Sequence, residues 1–247
     1  MKLSNIILFI VIFSVVAGIF IMARSLLWKH EEPSAVYVAP LPSYIPPKKQ
    51  DPLICVTAPY PSIGYIVGAI GKDRVSILCD DTSLPEVVIK EENLKETVLL
   101  KRKEDDAITD KLQTTLKGDA GFFWFSVDDI KSITPFLIEQ MVAVDREGAN
   151  FYVDNAYLFE YQLDTLLQEI RKDLKKIVFH SNERWAPFIY ELRGYISWER
   201  DTSLGDDVVE INGKETILDP LGIKGDYSGY VDFLQSHMAH LREVGIE

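Results

Sequence analysis

Residues 53–78 read LICVTAPYPSIGYIVGAIGKDRVSIL, and their pattern decides the fold. Residues 53–57 form a short apolar run stopped by Pro59 and Pro61, the signature of a buried strand. Ile63, Ile66, Val67 and Ile70 then recur at helical spacing, with Gly71 as a C-terminal stop. Residues 75–78 make a second short apolar run. Strand, helix and strand within about thirty residues form a βαβ unit, which requires a parallel sheet.

Working outward, residues 92–95 read as a helical turn and 97–100 as a third strand. Residues 101–120 are charged and weakly periodic, with Ile108, Leu112 and Leu116 marking a helix. The aromatic run 122–125 is expected in the core, with an exposed recognition patch as the other reading. Residues 127–144 read as a helix capped by Ser126 or Asp128, with Pro135 as a break or kink. The longest element spans 149–175, where Tyr152, Ala156, Phe159, Leu163, Leu166, Ile170 and Leu174 share one face. Its length of roughly 40 Å suits a strut between two lobes.

Beyond it lie a strand at 177–179, a helix at 185–192 and a strand at 195–198. A hairpin turns at Asn212-Gly213, and a closing helix spans 230–244. The fold class is α/β: two lobes with parallel sheets joined by a long backbone helix, the second lobe reduced. The boundaries are 53–148 for the first lobe, 149–176 for the bridging helix and 177–247 for the second lobe.

The N-terminus sets the compartment. Residues 6–23, IILFIVIFSVVAGIFIMA, carry no charge and span roughly 27 Å as a helix, close to the hydrocarbon thickness of a bilayer. No small-residue cleavage site follows, so residues 1–28 are expected to be an uncleaved transmembrane anchor. Six prolines between 33 and 52 make residues 29–52 an extended, semi-rigid linker. The expected location is the cell membrane, single-pass, with the folded part extracytoplasmic. Cys55 and Cys79 could pair in an oxidising compartment. Their expected places near opposite ends of neighbouring strands favour two buried free thiols instead.

The charge balance narrows the partners. A net charge of −12 over 247 residues excludes a binder that works by neutralising nucleic-acid phosphates. Hydrophobic residues at 47% and charged residues at 26% are the balance of a chain that buries a real core. Enzyme signatures are missing: no nucleophile elbow, no zinc-protease helix, no phosphate loop and no dinucleotide fingerprint. The chain is therefore expected not to be an enzyme. With only four histidines, any metal site must lean on carboxylates.

Three stretches resemble the extracytoplasmic zinc- and manganese-binding proteins of metal ABC importers. The first is Val56-Thr57, Tyr60-Pro61 and the turn Ala69-Ile70-Gly71-Lys72-Asp73-Arg74-Val75. The second runs from Asp145 to Ala156 and is similar to the family's entry into its long helix. The third is Leu218-Asp219-Pro220-Leu221-Gly222, followed by Tyr230-Val231-Asp232-Phe233-Leu234. The resemblance covers most of residues 53–247. It implies a receptor that hands one divalent transition metal, zinc or manganese, to an ABC permease in the membrane, working as a monomer.

The same resemblance exposes departures. The family gathers three His and one acid in an interlobe cleft, a set suited to zinc or manganese. Glu86, in Leu84-Pro85-Glu86, stands where the first His is expected. Phe122, two residues before Trp124, stands at the second. Asn182 or Glu183 stands at the third, with His180 nearby. Only Asp219 is unchanged. Between Trp198 and Leu218 there is room for little more than a hairpin.

The candidate metal ligands are therefore Asp219, Glu86, His180 and Glu183, each with a plainer reading beside it. Asp219-Pro220 is also a common turn opening. Glu86 also reads as a solvated loop carboxylate, and Glu183 as a first-turn residue favoured by the helix dipole. His180 also reads as a hydrogen-bonded structural histidine. His237 and His240 are expected on a polar face of the last helix. Two functions follow. One is an anchored solute-binding protein with a carboxylate-rich, degenerate metal site. The alternative is a scaffold relative that binds no metal and serves as a surface interaction or adhesion module.

Overall fold

The computed structural model describes residues 52–77, 83–104, 116, 119–174, 177–192, 195–196 and 205–245. All of them fall within one compact unit, Lys49–Glu247. The expected anchor and, apart from Pro52, the linker lie outside the described residues. So do residue 78 of the second expected strand, residues 105–115 and 117–118 of the 101–120 segment, residue 175 of the long helix and residues 197–198 of the expected strand. Among the described residues no helix is long and apolar enough to cross a membrane.

The βαβ reading holds. Strand β1 (Ile54–Thr57), helix α1 (Pro61–Gly71) and strand β2 (Val75–Ser76) form the unit, with Ile54 beside Val75 in parallel register. Pro61 opens α1, where its missing N–H costs nothing. The third strand is not at 97–100. It is β3 (Glu86–Val88), parallel to β1 with Cys55 opposite Glu86, so the sheet order is β2-β1-β3.

Residues 97–100 instead lie in helix α2 (Glu91–Glu104). Leu94, Val98 and Arg102 are spaced by four and buried along one side of it. That spacing outweighs the strand propensity of the short Thr-Val-Leu-Leu run.

Helix α3 (Val127–Val144) runs through Pro135 without a break. The Ser126 hydroxyl accepts the Asp129 N–H at 3.1 Å and donates to Glu191 Oε1 at 2.9 Å. The Val127 and Asp128 N–H groups donate to the same carboxylate at 2.8 and 2.6 Å, so the helix start is fully capped. Arg102 pairs with Asp129 in the interior at 2.5 and 3.0 Å, joining α2 to α3.

Helix α4 (Ala149–Leu174) is the predicted long element. Tyr152, Phe159, Leu163, Ile170 and Leu174 are buried on one side of it. Strand β4 (Val178–Ser181), helix α5 (Ala186–Glu191) and strand β5 (Tyr195–Ile196) follow, with β4 and β5 parallel. Strands β6 (Val208–Ile211) and β7 (Lys214–Ile217) make the hairpin. Asn212 and Gly213 adopt φ of 54° and 80°, the left-handed pair that a two-residue turn needs.

The second sheet has the order β5-β4-β6-β7 and is mixed, not parallel throughout. A parallel neighbour needs a crossover, which α5 provides between β4 and β5. The hairpin has none, and β6 lies antiparallel to β4. Helix α6 (Tyr230–Gly245) closes the chain. One continuous buried cluster runs from Ile54 and Val56 of the first sheet through α4 to Phe179 and Ile211 of the second.

Cys55 is not a free thiol. It is disulfide-bonded, and no described cysteine is free.

Candidate functional site

In open α/β sheets ligands bind beyond the carboxyl ends of the strands, where loops converge. Here those ends carry Tyr60 after β1, Glu91 after β3 and Arg184 after β4. Glu91 opens α2, where a carboxylate suits the helix dipole. The Tyr60 hydroxyl donates to Glu91 Oε2, and its ring lies 5.3 Å from that of Trp124. Lys95, one turn along α2, bridges Glu91 at 2.7 Å.

Arg184 sits in the turn Glu183–Trp185, ordered by Asn182, whose side chain accepts the Arg184 N–H at 2.9 Å. Its guanidinium lies 4.3 Å from the centre of the Phe122 ring and is paired with Asp206 at 2.8 Å. Its carbonyl accepts the Phe122 N–H at 2.8 Å. Gly121, at φ 62°, makes this approach: a Cβ there would meet the Arg184 carbonyl oxygen at 2.6 Å.

The electrostatics follow from these contacts. Burial, with the hydrogen bond to Glu91, pushes the Tyr60 hydroxyl up to about 12. Burial alone would raise Glu91. The bonds from Lys95 and Tyr60 and the charges of Lys95 and Arg184 outweigh it and hold the carboxyl below its usual range. Glu91 is thus paired by Lys95, and Arg184 by Asp206.

The four candidate metal ligands do not gather there. Glu86 is the first residue of β3, is exposed, and accepts the Thr57 hydroxyl at 2.8 Å. Glu183 is exposed in its turn. His180 is half-buried in β4, opposite Glu210. Its Nδ1 is enclosed and has no hydrogen-bond partner among the described residues.

Asp219 is buried, but its oxygens are taken. Oδ1 accepts the Ile223 N–H at 3.0 Å, and Oδ2 accepts those of Lys224 and Gly225 at 2.6 and 3.1 Å. This carboxylate folds its own loop. Among the described residues no three His, Cys, Asp or Glu side chains stand together as an ion site. Phe122 is buried against Trp124 and Trp185, and an apolar ring coordinates no transition metal. The described residues at these positions do not make a zinc or manganese site.

His237 does not lie on a polar face. It is 2% exposed, and its Nε2 accepts the Asp219 N–H at 2.9 Å. Nδ1 must then carry the proton and donate to the Phe233 carbonyl at 2.6 Å. His240 is exposed.

The segments around Phe122, Asn182 and Asp219, which the resemblance singles out, are tied together by one backbone bond and one side-chain bond. Phe122 bonds Arg184, and the Trp124 indole donates to the Pro220 carbonyl at 2.6 Å. Sequence reasoning missed Glu91 and Arg184 as the residues that fill the meeting point. The available signal was position, since each follows directly on a strand end.

No family model matches the sequence, and no curated protein matches it. Eleven chains of solved structures do. One is titled as the crystal structure of ZnuA, at 14% identity and a TM-score of 0.37, covering 58% of this chain and 70% of that one. Another is a ZnuA deletion mutant with zinc bound, at 15% identity and a TM-score of 0.36, covering 61% of this chain and 73% of that one.

Proposed function

We propose that this protein is a non-enzymatic binding module, anchored in a membrane through residues 6–23 with its folded part extracytoplasmic. Its α/β scaffold resembles a solute receptor, but its strand-end crevice is closed by its own side chains and holds no transition metal. The observation that carries this reading is Arg184, whose guanidinium lies over the buried Phe122 ring and whose charge reaches Glu91 and Tyr60. The Arg184 charge is already met by Asp206 and the Glu91 carboxylate by Lys95, and the ring offers no donor, so these residues present no unpaired ligand to a divalent ion. The disulfide at Cys55 supports an oxidising compartment, and the uncharged N-terminal stretch supports anchoring.

A second reading, a metal receptor that serves an ABC permease, is favoured by the retained Asp219 in its Leu-Asp-Pro-Leu-Gly turn. Isothermal titration of the full chain with Zn²⁺ and with Mn²⁺ separates the two. The module reading expects no saturable heat. The receptor reading expects one site per chain, lost in Asp219→Asn, which keeps an acceptor for the loop.

A further inference from the structure

The structure assigns a docking surface for a basic, apolar segment of a partner protein to the outer side of α4. Val153, Tyr157, Leu158 and Tyr161 are 38%, 70%, 58% and 72% exposed, although the opposite side of the same helix supplies the core. Val153, Tyr157 and Tyr161 repeat at steps of four and form one ridge. Beside it runs a groove of about 450 Å³ between α3 and α4, lined by Pro135, Ile138, Val153 and Tyr157. A surface helix ordinarily turns charged and polar residues outward. Tyrosine is among the residues enriched in binding hot spots, and two of the four exposed residues here are tyrosines.

Charge selects the occupant. On the helical wheel Asp164 falls within the ridge, and Asp154 and Glu160 flank it on either side. The basic residue at the groove, Lys131, is already paired with Asp164 at 2.6 Å. From position 150 to 169 α4 has four acids and no base. A segment that surrounds an apolar anchor with Lys or Arg meets both features: cations stack on the tyrosines and pair with the carboxylates. A second copy of this chain would set acid against acid, and an anionic membrane surface is repelled likewise. This inference rests on the binding-module reading and names the class of partner it takes.

The test is fluorescence anisotropy with a labelled helical peptide of lysine and leucine, and its glutamate-leucine counterpart, against the full chain. The Tyr157→Ala/Tyr161→Ala double variant changes two exposed side chains and no charge. The expected result is that the lysine peptide binds and the variant weakens it about tenfold or more, while the glutamate peptide does not bind. Equal affinity for variant and parent would reduce the effect to diffuse attraction by net charge and overturn the assignment. Variant-sensitive self-association in sedimentation, or variant-sensitive adsorption to phosphatidylcholine vesicles, would overturn it too by giving the face to another occupant. The metal titration reports on the module reading separately: saturable heat there sinks that reading whatever the peptides do.

Discussion

Arg74 and Asp145 lie 71 positions apart in the chain and meet in a two-pronged ion pair, Nε and Nη2 each donating to a carboxylate oxygen at 2.9 and 2.8 Å. The Tyr152 hydroxyl adds a bond to Asp145 at 2.6 Å, and the Gly148 N–H adds another. These residues belong to the first two stretches that carry the family resemblance. The third is tied in through Pro220, which accepts from Trp124, and through Leu221, which accepts the Ser62 N–H. The resemblance therefore lies in residues that hold the fold together rather than in residues that would hold an ion.

Arg74→Ala leaves Asp145, whose side chain is 9% exposed, without its charge partner. The expected cost is about 3 kcal/mol, read as a lower denaturant midpoint with an unchanged slope. Burial alone would raise Asp145. The bonds from Tyr152 and Arg74 outweigh it and hold the carboxyl below its usual value. Its contribution is complete above the unfolded-state value near 3.8 and is lost as pH falls through the lower folded value. The parent is expected to lose stability in that acid window and Arg74→Ala to lose less.

His237 is depressed as well. Burial lowers its pKa, His240 lowers it further, and the Phe233 carbonyl and Asp219 oppose them. Stability from the neutral ring is complete above the unfolded value near 6.5 and is lost as pH falls through the depressed folded value. His237→Phe keeps the packing against Phe125 and Phe233 but strands the Asp219 N–H. It should cost about 1–3 kcal/mol, and the pH dependence below 6.5 should flatten in thermal melts.

Glu191 runs the other way. Burial pushes its carboxyl from 4.5 up to about 7, against the Val127, Asp128 and Ser126 donors. Its contribution is complete below 4.5 and is lost as pH rises through about 7. Carbon-detected NMR of the side-chain carboxyl should show a midpoint near neutrality. A midpoint at the ordinary glutamate value would show that the helix-end donors prevail.

The disulfide at Cys55 predicts that unreduced protein takes up no alkylating reagent. Cys79 is the other cysteine in the sequence, and peptide mapping should recover the two linked. Reduction should lower stability by about 2–4 kcal/mol.

The βαβ unit, the Asn212-Gly213 turn, the long helix and the last helix were legible because periodicity and turn chemistry act within a few residues. Strand β3 was not, because three residues carry no period and their place is set by pairing with β1. His237 looked polar from its own helix. Its burial depends on the Asp219 N–H reaching it from another element. Arg184 and Glu91 carry no motif, and only the folded sheet brings the strand ends together. Phe122 in place of a ligand was readable as a departure, but its consequence, a ring under a guanidinium, is tertiary.

Elemental analysis of the full chain, purified without chelator, tests the self-filled crevice most directly. The account predicts no stoichiometric zinc or manganese, and no change in metal content on Asp219→Asn. One tightly held ion per chain that disappears in that variant would contradict it.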